Sequence, residues 1–130
     1  MSDVQTVLDR TMEIGGAVGT ALVDLESKVC LGARGGEGLD MELAGAALVE
    51  VIQAKKSMIE TVGIGAPVEE LMFTLNDQNH LVQSFDDRQA LFSYLILDQD
   101  VGSLALARTE LRDIAEEEAI DLSEIKKNPV

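Results

Sequence analysis

The sequence predicts an α+β fold in which a five-stranded antiparallel sheet carries helices on both faces. The elements follow the order helix, two strands, helix, three strands, helix, and every connection between strands is short except the one containing the middle helix. Two strands, over residues 17–25 and 91–98, are apolar at both alternating sets of positions, as central strands covered on both faces are. The middle helix, over residues 39–62, is apolar over roughly half of its circumference.

Length and composition favour one acidic domain. The chain has 130 residues, 46% of them hydrophobic, and a net charge of −14. We interpret it as a single domain over residues 1–119, followed by a flexible acidic-to-basic tail over residues 120–130. So negative a surface repels phosphate backbones and anionic lipids, which argues against nucleic acid and membranes as partners. The sequence shows no membrane-spanning run and no secretory signal, so a cytoplasmic location is expected.

The first elements are a short helix and a β-hairpin. Apolar residues at helical spacing run from Ser2 or Asp3, either of which is a suitable N-cap, to Ile14, where two glycines stop the pattern. The strand over residues 17–25 is followed by a polar turn and a second short strand over residues 29–33. These two strands are expected to pair with each other.

The middle helix follows a glycine-rich loop predicted at residues 34–38. Asp40 caps this helix, and glycines and a proline at residues 63–67 end it. Its apolar arc has two adjoining flanks, one formed by Ala47, Val51, Ala54 and Met58 and the other by Met41, Leu48, Ile52 and Ile59. A helix that only covers a sheet needs one apolar stripe, so the second flank is expected to meet another part of the fold or another protein. The sequence leaves open which flank faces the sheet.

The last elements are three strands and a helix. The strands are predicted over residues 68–76, 81–85 and 91–98, with polar connections that fit hairpins. The last strand is expected beside the first. From Asp100 or Ser103 a final helix runs to about Ala119.

The strand over residues 68–76 is the candidate for an unprotected edge. Leu71, Phe73 and Leu75 fall on one of its faces, and no proline or bulge signal interrupts its middle. At the edge of the sheet its unpaired backbone would invite a strand from a partner. This strand and the middle helix together predict an association module.

No constellation of side chains predicts an enzyme, a metal site or a cofactor site. Cys30 and His80 offer two ligands where structural zinc takes four, and we interpret His80 as an exposed turn histidine. Cys30 has no nearby base and is interpreted as a half-buried strand residue. The glycine clusters at residues 15–19 and 63–67 do not lie between a strand and a following helix, as a phosphate loop does. The chain is therefore predicted to be non-enzymatic, with no cofactor.

Three cations are candidates for contacts with a partner protein. Lys55 lies within the apolar arc of the middle helix, where its side chain either reaches past the sheet edge or meets a partner's carboxylate. Lys56 lies beside it at the polar boundary, and Arg34 starts the glycine-rich loop.

Several phrases, taken in order, resemble the roadblock/dynein-light-chain family. They are GGAVGTALVD at residues 15–24, the turn DLES leading into VCL at 29–31, the alanine-rich middle helix, and LILD at 95–98 leading into GSLALAR at 102–108. The likeness covers about residues 3–116. It implies a stand-alone, prokaryotic-type roadblock domain with a sandwich fold like that of profilin and longin domains.

The resemblance also implies a homodimer in which the third strands pair edge to edge and the long helices lie side by side. The residues expected at this interface are Met41, Gly45, Leu48, Ile52, Ile59, Leu71, Phe73 and Leu75. Stand-alone members look like partners of small Ras-like GTPases, some of which they regulate by reshaping the GTPase rather than by lending an arginine. We therefore predict a non-enzymatic homodimeric adaptor or regulator of such a GTPase.

Two alternatives stay open at this stage, a passive scaffold subunit of a larger complex and a small-molecule sensor on a related sandwich. A sensor should keep polar groups pointing into a cavity. The inward strand positions here are nearly all aliphatic, which weakens that alternative.

Overall fold

Three helices and five strands follow one another in the predicted order. The computed structural model describes residues 3–85, 88–118 and 120, with the backbone alone described at 88 and 89. The elements are α1 (Val4–Met12), β1 (Ala17–Asp24), β2 (Val29–Gly35), α2 (Met41–Thr61), β3 (Glu70–Thr74), β4 (Gln78–Phe85), β5 (Arg88–Asp98) and α3 (Leu104–Glu117). The predicted α+β class is confirmed.

The strands form one antiparallel sheet in the order β2-β1-β5-β4-β3. β1 and β5 are central and pair with each other, as their two apolar faces predict. α1 and α3 cover one face, where Leu22 and Leu95 lie in the core, and α2 covers the other, where Val23 and Ile96 lie. β2 and β3 are therefore the two edges of the sheet.

The predicted helix starts are confirmed by their caps. The side chains of Asp3, Asp40 and Ser103 each accept a hydrogen bond from the backbone N–H three residues further on. Each cap satisfies a donor that the first turn of a helix leaves unpaired. Ser103, rather than Asp100, is the residue that starts the last helix.

The glycine-rich loop is shorter than predicted, because β2 continues through residue 35. Gly35 pairs with Gly19 of β1, and the N–H of Gly36 donates to the carbonyl of Val18. Gly35 has a φ of +67°, and a Cβ there would lie 2.7 Å from the carbonyl oxygen of Val18. These glycines therefore extend the strand rather than end it.

The third and fourth strands also differ from their predicted limits. β3 is shorter than the predicted span, and β4 begins at Gln78 rather than at residue 81. The polar residues predicted as a turn open β4 instead, and Asn79 among them is buried. The side chain of Gln99 donates to the carbonyls of Leu75 and Gln78, which closes this end of the hairpin. Such a distant partner is not visible in local composition.

The end of the chain is only partly described. Ile120, assigned to the tail by the sequence interpretation, is 2% exposed and packs in the core layer beneath α1 and α3. The remainder of the predicted tail, residues 121–130, lies outside the described residues, so its flexibility stays a prediction.

Candidate partner-binding surfaces

The two apolar flanks of α2 have different surroundings. Met41, Leu48 and Ile52 are buried against the sheet, together with Val23 and other residues of that core layer. Gly45 brings the helix backbone close to the strands, since a Cβ on it would lie 3.0 Å from the Cβ of Ala21. The flank that contains Met41 therefore faces the sheet, which answers the question that the sequence left open.

This orientation corrects part of the predicted dimer interface. Met41, Gly45 and Ile52 are buried by the chain's own sheet and are not accessible to a partner, and Leu48 is buried except where it borders an open groove beside β3. Periodicity could not choose between two apolar flanks. Gly45 could have indicated which flank faces the sheet, because a glycine inside a helix often marks a close approach of another backbone. Gly45 lies on the flank that faces the sheet.

The other flank of α2 is exposed and forms what we call the outer stripe. Its residues are Leu43, Ala47, Val51, Ala54 and Met58. They follow one another at helical spacings of three or four residues and so form one line along the helix. Leu43 is 66% exposed and Val51 is 44% exposed. A continuous exposed apolar line of this kind is a candidate surface for packing against another protein.

β3 presents a second exposed apolar surface on the same face of the sheet. Phe73 and Leu75 point to the α2 side and are 37% and 48% exposed. The two other predicted interface residues, Ile59 and Leu71, are half-buried. Half of the predicted interface, including its whole strand portion, thus remains at least partly accessible.

The backbone of β3 has a defined set of outward-facing groups. The N–H of Leu75 donates to the carbonyl of Gln78, and the N–H of Ser84 donates to the carbonyl of Glu69. Because hydrogen-bonded positions alternate along an antiparallel pair, the odd-numbered residues of β3 bond to β4. The residues whose N–H and C=O groups face away from the sheet are Glu70, Met72 and Thr74.

The outer stripe and β3 meet in an open groove of about 400 Å³, which we call the α2–β3 groove. Its lining residues are Ala44, Ala47, Leu48, Val51, Phe73, Leu75, His80 and Tyr94. Every one of them except His80 and Tyr94 is apolar. The groove therefore joins the exposed helix flank and the exposed strand into one apolar surface.

The two polar residues of the groove satisfy each other. Nδ1 of His80 lies 2.7 Å from the hydroxyl of Tyr94, and Nε2 lies 3.0 Å from Oε1 of Gln78. Burial lowers the pKa of His80 and raises the pKa of Tyr94, so both are neutral at pH 7. The interpretation of His80 as an exposed turn residue is wrong, because β4 begins before it and carries it into the groove.

Comparison with solved structures places this architecture among known folds. MglB of Myxococcus xanthus matches with a TM-score of 0.73 and 17% identity, over 94% of this chain and 93% of that chain. A Roadblock/LC7 domain from Streptomyces avermitilis matches with a TM-score of 0.70 and 13% identity, over 88% and 92% of the two chains. The chain has a roadblock fold. An MglB with a tetrameric arrangement matches with a TM-score of 0.66 and 17% identity, over 87% of this chain and 88% of that one.

The roadblock resemblance found in the sequence is thus confirmed for the fold. No protein-family model matches the sequence, and no curated protein matches it either. At these identities the likeness shows the fold alone.

The three predicted partner-binding cations are not brought together. Arg34, near the end of β2, donates to the carboxylate of Asp9 on α1 at 3.3 Å. Lys55 and Lys56 lie some 14 residues into α2, which is about 20 Å along the helix axis. Lys55 is exposed, Lys56 borders two shallow pockets, and neither has an ion-pair partner within residues 3–85 and 88–118. Of the three predicted cations, Lys55 and Lys56 are the two that lie next to each other.

The surroundings of Cys30 are those of a packed strand residue rather than of a reactive thiol. It is half-buried on β2, and its thiol donates to the carbonyl of Gly32 at 3.3 Å. Burial raises the pKa of the thiol, which keeps it protonated and weakly nucleophilic. In the described part of the chain no three metal-ligating side chains cluster, and no helix is long and apolar enough to cross a membrane.

Proposed function

We propose that this roadblock domain is a non-enzymatic, homodimeric adaptor or regulator of a small Ras-like GTPase. The observation that carries the proposal is the α2–β3 groove, where an exposed helix flank and an unprotected sheet edge form one apolar surface. Such a surface is larger than scattered surface apolar residues and fits an isologous contact with a second copy. The tetrameric arrangement of an MglB with this fold supports self-association.

The GTPase is proposed as partner because the sequence resembles the stand-alone members of the roadblock/dynein-light-chain family. Lys55 and Lys56 are the cations proposed to contact it, since both lack ion pairs with the described residues. In a chain with a net charge of −14, two neighbouring unpaired cations are suited to orient a partner that carries carboxylates. Such a complex is expected in the cytoplasm.

A small-molecule sensor is less well supported by the groove. A ligand site needs polar groups that are free to bind the ligand. The two polar side chains of the groove, His80 and Tyr94, already bond to each other, and Gln78 takes the remaining imidazole nitrogen. The groove is therefore suited to apolar protein contacts.

The test is size-exclusion chromatography with light scattering on the chain alone, and then with the small GTPase encoded nearest to its gene. The GTPase is loaded in turn with GDP and with a GTP analogue. We expect a dimer that binds one nucleotide state more tightly, because only differential affinity can shift a GTPase between states. Equal binding to both states would favour a passive scaffold, and a monomer without GTPase binding would refute the proposal.

A charge reversal at Lys56 tests the GTPase contact separately. Lys56→Glu is expected to weaken the GTPase complex by roughly tenfold, because it removes one cation and adds repulsion at the same place. The matched control is Lys28→Glu, which makes the same charge change at an exposed residue between β1 and β2. Isothermal titration calorimetry measures both affinities, and equal values for the two variants would count against a contact at Lys56.

A further inference from the structure

The apolar side chains of β3 are arranged symmetrically about one residue. Leu71, Phe73 and Leu75 occupy alternate positions on the α2 face, so that the same residue type lies two positions before and two positions after Phe73. A two-fold axis at Phe73 pairs position −2 of one strand with position +2 of the other, so the two leucines of each copy would meet the leucines of the partner. The pattern favours a second copy of this strand over an unrelated one.

The backbone of β3 permits only certain alignments of two such strands. The outward-facing N–H and C=O groups belong to the even-numbered residues, so an even-numbered residue must lie opposite an even-numbered residue. Odd-numbered residues then face one another at the positions without hydrogen bonds. In successive permitted alignments, the two-fold axis passes through successive residues of β3.

The apolar side chains choose among these alignments. With the axis at Phe73, Leu71 lies opposite the partner's Leu75 and all three apolar side chains meet apolar neighbours. With the axis at Met72, Leu75 lies opposite the partner's Glu69 instead. With the axis at Thr74, Leu71 lies opposite the partner's Asp77, in the turn after β3. A shift in either direction therefore exposes an apolar side chain to a carboxylate or leaves it without a cross-strand neighbour.

We propose that two copies pair through β3 in a single register, with Phe73 opposite the partner's Phe73 on the two-fold axis. This inference rests on the proposed homodimer and specifies its alignment. Met72 and Thr74 exchange hydrogen bonds with the partner's Thr74 and the partner's Met72, using the outward groups described above. The aromatic pair at the axis lies beside the α2–β3 groove of each copy.

The other face of β3 is compatible with this register. At its start the Glu70 carboxylate is held by Arg108 of α3, with Nε–Oε1 and Nη2–Oε2 distances of 2.5 and 3.0 Å. The register places Glu70 opposite the partner's Asn76, which is neutral. Glu70 thus keeps its intramolecular partner and meets no carboxylate directly across the strand.

Single cysteines identify the axis, because only the residue on the axis lies opposite its own copy. We replace Cys30 by Ala to remove the native thiol, and then place one cysteine at each position from 71 to 75 in turn. Across the axis at an odd position the Cα atoms are about 4.5 Å apart, within the range of a disulfide. A cysteine one residue from the axis lies two residues, or about 6.8 Å along the strand, from the same cysteine of the partner. The two thiols are then too far apart to form a disulfide.

In a glutathione redox buffer we expect a disulfide-linked dimer for Phe73→Cys and monomeric chains for the other four variants, on non-reducing gels. Light scattering of the reduced proteins reports whether each variant dimerises. A dimer that crosslinks at another position, or at none, overturns the register and leaves the homodimer standing. Proteins that are all monomeric, including the Cys30→Ala parent, overturn the homodimer and the register together.

A second variant keeps the aromatic ring in case its loss weakens the dimer. Leu71→Cys combined with Leu75→Cys is expected to form two disulfides between copies, because each cysteine lies opposite the partner's other cysteine in this register. The two positions are about 13 Å apart within one extended strand, so they cannot bond to each other. A dimer of this variant that does not crosslink overturns the register even if Phe73→Cys is monomeric.

Discussion

The two edges of the sheet are built differently. On the β2 edge, α1 and α2 both pack against the strand, and a Cβ on Gly32 would lie 2.8 Å from Cδ1 of Leu8. The pairing of β2 with β1 is interrupted by a register shift between Leu22 and Val23. On the β3 edge no described helix packs against the strand to a comparable extent, and its pairing with β4 is regular.

The difference between the two edges is one of protection against pairing with another chain. A bulge and close cover by helices are means by which proteins protect a sheet edge from pairing with another chain. β2 has both, and among its large apolar residues only Val29 is exposed. β3 has neither, and it exposes Met72, Phe73 and, just beyond its end, Leu75. The chain closes one edge by itself and leaves the other available.

The largest expected effect compares the same substitution at both edges. Phe73→Asp places a carboxylate in the proposed interface and is expected to weaken dimerisation by about 100-fold or more, because an interface core does not tolerate an unpaired charge. Val29→Asp makes the same change at a residue that is 45% exposed, against 37% for Phe73, and is expected to leave the dimer intact. Light scattering over a concentration series measures both.

The opposite pattern of dimerisation would contradict this prediction. If Phe73→Asp stays dimeric while Val29→Asp becomes monomeric, the β2 edge is the interface and the comparison is reversed. Thermal unfolding of both variants controls for damage to the monomer, which should be similar because both side chains are partly exposed.

The sequence predicts the fold well because the fold depends on local signals. Caps at Asp3, Asp40 and Ser103 and two doubly apolar central strands determine the order and layering of the elements. The limits of β3 and β4 at their hairpin end were missed because Gln99, which is distant in sequence, bonds to Leu75 just after β3 and to Gln78 at the start of β4. Local composition carries no sign of such a contact.

The candidate site was predicted only in part for a related reason. The exposed apolar residues of β3 at the sheet edge were predicted, because an unprotected apolar strand is visible in the sequence. The helix portion was assigned to the wrong flank, since the choice depends on which flank fits closely over Ala21 and Val23, and that is a property of packing. His80 was missed because its partner, Tyr94, lies on the neighbouring strand.

An intermediate effect is expected from removing one outward backbone donor of β3. Thr74→Pro removes an N–H that faces away from β4, so the monomer should keep its sheet while the dimer loses hydrogen bonds to the partner. We expect dimer affinity to fall by about tenfold. Thr74→Ala is the matched control, because it removes the side chain and keeps the N–H. Sedimentation equilibrium measures the affinities, and equal values for the two variants would show that the β3 backbone takes no part in association.

The smallest expected effect is a pH dependence of dimer affinity. It distinguishes the groove beside β3, which contains His80, from the β2 edge, which contains no histidine. Burial already lowers the pKa of His80 in one copy, so its imidazole is neutral at pH 7. A partner seated on the α2–β3 groove buries it further and lowers that pKa again, because desolvation disfavours the imidazolium. Tyr94 is the other residue lining the groove that could carry a charge, and its raised pKa keeps it neutral over the same pH range.

The direction follows from proton binding. As the pH falls through the lowered pKa of His80 in the separated copies, these copies bind more protons than the dimer, so dimer affinity decreases towards acid pH. We expect dimer affinity to fall between pH 7.5 and pH 5.5, and to fall less for His80→Gln, which keeps a polar side chain without a titration in this range. Protonation of surface carboxylates would act in the opposite direction by reducing the repulsion between two acidic chains. If the unmodified chain and His80→Gln show the same pH profile, the groups that titrate lie outside the groove. In that case the partner does not bury His80 and does not sit on the groove.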